Sequence, residues 1–91
     1  MSKFESVWDA IEDSPEEAAN MKMRSFLMDA LQSVVREWGM TQEKAAERLG
    51  VTQPRLNDLL KGRIEKFSLD ALVTLVSHTG KSIEIELKDA A

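Results

Sequence analysis

Ninety-one residues without a single cysteine make one small domain that has no disulfide framework, no thiolate metal site and no thiol nucleophile. No basic start followed by an apolar run reads as a signal peptide, and no stretch approaches the ~20 apolar residues of a membrane span, so the chain reads as cytoplasmic with no membrane partner. The net charge of −4 counts against a nucleic-acid partner until it is mapped along the chain.

Mapped, the charge is uneven. Residues 1–40 carry four Lys/Arg against eight Asp/Glu, and residues 67–91 carry two against four. Residues 41–66 reverse the sign, with six basic residues (Lys44, Arg48, Arg55, Lys61, Arg63, Lys66) against four acids. A phosphate backbone responds to charge within a Debye length of about 10 Å, so this segment is the one suited to meet DNA. The acidic remainder suits either a solvated surface or a basic protein partner.

In chain order, residues 1–13 form an N-terminal arm with Phe4, Val7, Trp8 and Ile11 at the spacing of an amphipathic helix. Phe4, Trp8 and Ile11 are candidate partner-binding residues, because aromatic anchors are enriched in interfaces; packing of Trp8 on the chain's own core is an equal alternative. Residues 14–80 read as the main helical domain. Ser14-Pro15-Glu16-Glu17 is a helix start, with Ser14 as cap, Pro15 in the first position and acids at the positive end of the dipole. The helix is expected to run to Trp38, with an irregularity near Asn20, and to end at Gly39. Its expected apolar face is Met23, Phe26, Leu27, Ala30, Leu31, Val34, Val35 and Trp38.

Residues 41–62 hold two short helical patterns around a tight turn. Thr41 caps the first, Ala45, Ala46 and Leu49 form its inner side, and Gly50 stops it. Thr52 caps the second, Pro54 fits its first turn, Leu56, Leu59 and Leu60 form its inner stripe, and Gly62 ends it. Two such helices around a glycine turn read as a helix-turn-helix. A basic loop follows, then a helix capped by Ser68 with Leu69, Leu72, Val73 and Val76 inward and Gly80 at its end. His78 has no second His, Cys or paired carboxylate at ligand spacing, so no metal site is expected. Residues 81–91 form a C-terminal strand and tail, since Lys81 to Lys88 alternates polar and apolar residues. Ile83, Ile85 and Leu87 are expected to face the helices and to dimerise the chain by antiparallel pairing with a second copy. Addition of the strand to a different protein is the alternative. The fold class is thus mainly all-α, four to five helices with a C-terminal β-strand.

The motif resembles the helix-turn-helix of the Cro and lambda-repressor type, also called the xenobiotic-response-element (XRE) family. The resemblance rests on Thr41-Gln42, Ala46, Leu49-Gly50-Val51-Thr52-Gln53, Leu56, Leu59-Leu60 and Gly62. Over residues 15–88 the layout is similar to one branch, marked by Gly50-Val51-Thr52-Gln53-Pro54, a basic loop running into Phe67-Ser68-Leu69, and an Ile-rich end. That branch contains HigA-type antitoxins. The resemblance therefore implies a homodimeric repressor of its own operon that also neutralises a small basic toxin. A stand-alone phage-derived repressor, or an interaction module without a toxin, remains the alternative.

In a helix-turn-helix the leading and outward residues of the second helix meet base edges in the major groove. Here those are Thr52, Gln53, Pro54, Arg55, Asn57, Asp58 and Lys61. Gln53 and Asn57 suit adenine, and Arg55 suits guanine or a phosphate. Asp58 suits cytosine or an ion pair with Arg55 or Lys61. Lys44, Lys61 and Arg63 are candidate phosphate contacts. The resemblance implies that Gln42 braces Gln53 and clamps the backbone. It is broken at Asn57, where a small serine is common. Two such readers in a dimer span a palindromic site of double-stranded DNA at about 34–36 Å. No phosphate-binding glycine loop and no metal spacing supports an enzyme or a cofactor.

Overall fold

The computed structural model describes residues 14–90, so the expected helix around Phe4, Trp8 and Ile11 lies outside the described residues. Among them are four α-helices: α1 (Pro15–Trp38), α2 (Gln42–Leu49), α3 (Gln53–Leu60) and α4 (Leu69–Ser77), with a 3₁₀ turn at Ile64–Lys66. Each α-helix starts where a hydroxyl satisfies a first-turn amide that has no partner inside the helix. Ser14 accepts from the Glu17 N–H, Thr41 from Lys44, Thr52 from Arg55 and Ser68 from Ala71. Helix α1 ends at Gly39 in the left-handed conformation, as its sequence predicts. The irregularity expected near Asn20 is absent. Its side chain instead accepts from Arg24 Nε one turn on, at 2.8 Å.

The core lies between α1, α2, α3, α4 and Phe67. Leu31, Leu49, Leu56, Leu59, Leu72 and Phe67 are its largest fully buried side chains. Burying each such leucine stabilises the fold by about 1.5–3 kcal/mol. Helix α1 packs mainly on α4 and also touches α3 and the 3₁₀ turn, while α2 packs on α3. In α4 the inner face is Leu72, Leu75 and Val76. Val73, expected inside, is 43% exposed, because the helix is turned so that Leu75 takes the core position. The helix stops at Ser77, short of Gly80, and His78 caps it.

Two expectations for apolar faces need correction. On α1, Leu27, Leu31 and Val35 are buried, but Met23 and Phe26 are exposed, Phe26 by 68%. A chain this small has elements to cover only part of a wide stripe. At the C-terminus, residues 81–90 form no strand among the described residues. A lone extended segment has no ladder to join. Ile85 and Leu87 are not buried against the helices either, at 74% and 93% exposed. Ile83 instead edges a groove along α1 that is lined by Phe26, Leu27, Val34 and Val76. No helix among the described residues is long and apolar enough to cross a membrane.

Candidate nucleic-acid interface

The site begins with the turn between α2 and α3. Gly50 takes φ 75°, the left-handed conformation that side chains rarely adopt. Its N–H donates to Glu47 O, and the Val51 N–H reaches back to Ala46 O at 3.0 Å. This pair of bonds closes α2 and turns the chain sharply into α3. From α4, His78 Nδ1 donates to Leu49 O at 2.7 Å, which fixes the ring tautomer and ties the turn to the far helix. The sequence predicted a helix-end histidine, and its partner across 29 residues is the new fact.

Helix α3 is set by its inner face. Leu56 and Leu59 are buried and Leu60 partly so, which turns Gln53, Pro54 and Lys61 to solvent. Asn57 and Asp58 are half-buried on the flanks. Thr52 is exposed, and its hydroxyl is occupied as the cap. On α2, Gln42 and Lys44 are exposed. Among the described residues no hydrogen bond joins Gln42 to Gln53. Both side chains are exposed.

Asp58 does not pair with Arg55 or Lys61. Its carboxylate accepts from Arg63 Nη1 at 3.1 Å. The reason is the backbone: Gly62 at φ 74° ends α3 with the Arg63 N–H bonded to Asp58 O, which folds residue 63 back over its own helix. A surface pair of this kind contributes about 0–1 kcal/mol to stability. Its effect here is on sign, since the acid on the flank of α3 already has a cation beside it.

Arg55 departs further from expectation. Its guanidinium lies 3.9 Å from the Phe67 ring centre, and Nη1 donates to Lys66 O at 2.7 Å. It is half-buried and points along the protein. Sequence reasoning also missed two donors on α1. Gln32 Nε2 donates to Leu59 O at 2.8 Å, capping the end of α3, and Arg24 Nη1 reaches the carbonyls of Ile64 and Phe67 at 3.4 Å. No local signal marks such contacts, because the partners lie 27 to 43 residues apart. Trp38, by contrast, carries Arg48 over its ring at 4.2 Å, which joins the end of α1 to α2.

His78, Gln32, Trp38 and Phe67 thus hold the motif from outside it, while Gln42, Lys44, Gln53 and Lys61 stay exposed. Among the described residues no group of three or more His, Cys, Asp or Glu is placed to hold a metal. Residues 10–88 match the family model described as a helix-turn-helix domain. The chain is also similar to a solved structure described as an XRE-family transcriptional regulator, at 30% identity and a TM-score of 0.73, over 81% of this chain and 83% of that one. No curated protein matches it.

Proposed function

The chain belongs to the helix-turn-helix domain family of XRE type, and from that premise we propose that it is a sequence-specific DNA-binding regulator of transcription. One observation carries this reading: Gln53 stands exposed at the leading end of α3, on a helix whose inner face is locked in the core. A bidentate amide there is suited to adenine N6 and N7. Asn57 and Lys61 extend the reading face, Pro54 and Thr52 border it, and Gln42, Lys44, Lys61 and Arg63 surround it as phosphate contacts.

The test is a gel shift on a duplex spanning the promoter of its own gene. Gln53→Ala is expected to cost about 1–3 kcal/mol, roughly five- to 150-fold in affinity, with thermal unfolding unchanged because the side chain is exposed. Equal binding by wild type and variant removes Gln53 from the reading face.

The reading extends to a homodimer that represses its own operon. Its support is the exposed apolar surface of Met23, Phe26, Ile85 and Leu87 together with the unpaired, alternating tail. Antiparallel pairing of two tails satisfies the free backbone groups and covers that surface in one step. An antitoxin role rests on the resemblance of residues 15–88 to HigA-type proteins. Its candidate surface is the acidic arm with Phe4, Trp8 and Ile11. Co-purification with the product of a neighbouring reading frame tests the role, and survival of the complex after deletion of residues 1–13 rejects that surface.

A further inference from the structure

Lys66, one of the six cations of residues 41–66, lies beyond the helix-turn-helix and has been given no contact of its own. It belongs to the 3₁₀ turn after α3 and is exposed, while its neighbour Phe67 is fully buried. Arg55, in the first turn of α3, holds this stretch twice over, by stacking on the Phe67 ring and by donating to Lys66 O. The two contacts use one face and one edge of the same planar guanidinium, an arrangement lysine cannot reproduce. Arg24 grips the same stretch from the other side through the Ile64 and Phe67 carbonyls. A loop held by these four contacts has one position relative to the leading end of α3, and the leading end is where a recognition helix enters the groove.

We infer that Arg55 is a positioning residue for DNA binding, and that it fastens Lys66 beside the leading turn of α3 as a phosphate contact. This rests on the DNA-binding reading above. It reassigns Arg55 from the bases to the protein. It also adds a cation that the motif by itself does not supply. Because a phosphate contact carries no sequence information, the arrangement strengthens binding to every site alike.

The experiment uses the full chain and a duplex enriched by the wild-type protein from a random-sequence pool. If no duplex is enriched, the DNA-binding reading itself fails. With a duplex in hand, affinity is measured against salt for wild type, Lys66→Ala, Arg55→Met and the double variant. Lys66→Ala is expected to lower the salt slope by about 1. Arg55→Met is expected to do the same, and the double variant to show the slope of either single change, since both remove one contact. The pool enriched by Arg55→Met should give the wild-type consensus. A consensus relaxed at one base pair makes Arg55 a reader and overturns the inference. Slopes that add to about 2 make it a direct phosphate contact and overturn it equally. Lys66→Ala replaces an exposed side chain, so its unchanged slope would be decisive against the proposal even if Arg55→Met failed to fold.

Discussion

Leu56→Ala is expected to destabilise the chain by about 2–5 kcal/mol, the range for a buried leucine that leaves a cavity. Leu56 is 0% exposed and belongs to the core that joins α3 to the other helices. At roughly 4–8 °C per kcal/mol for a domain of this size, the unfolding midpoint should fall by about 8–40 °C. A small domain has about 5–15 kcal/mol in hand, so this one change removes a large share of the stability that holds the motif as well as the core. Val73→Ala is the matched control. It removes apolar carbon from a neighbouring helix, but from a side chain 43% exposed, and its cost should stay well below that of Leu56→Ala. Equal losses for the two variants in thermal or urea unfolding would mean that α4 is turned the other way, with Val73 inside.

That control marks the boundary between what the residues state locally and what only packing decides. Caps and stops are local: Ser14, Thr41, Thr52 and Ser68 each act on an amide three residues away, and Gly39, Gly50 and Gly62 each supply a positive φ within one turn. Helix positions could therefore be read directly. The choice between Val73 and Leu75 could not, since both lie on an apolar arc and the neighbouring α1 selects between them. The stripe on α1 raises the same problem at larger scale. Periodicity reports that Phe26 is apolar on an apolar face, but not whether its cover comes from this chain or another. The site divides in the same way. Exposed Gln53 follows from the inner leucines of α3, whereas Arg55 is withdrawn by Phe67, twelve residues on and beyond the motif's end. Asp58 is matched with Arg63 only because Gly62 reverses the chain.

Ile85→Lys is the change expected to have the largest effect on function. Ile85 is 74% exposed, so the substitution costs the single chain little. On the proposed dimer, however, it places charges from both copies in an apolar seam, and sedimentation should show a monomer. Joining two readers raises affinity for a two-part site by about 10²–10⁴, and the variant should lose that factor on the promoter duplex. A duplex carrying one half-site should bind variant and wild type alike, because the groove around Ile85 is lined by α1 and tail residues and by none from α3. The added lysine also makes the test one-sided. It brings a positive charge beside Glu84 and Glu86 in a chain of net charge −4, which favours phosphate binding in general. A fall in affinity confined to the two-part site, with half-site binding kept, therefore comes from the loss of the second reader and not from charge. A variant that sediments as an unchanged dimer would take the tail out of the interface and leave the exposed face of α1, around Met23 and Phe26, as the surface to test next.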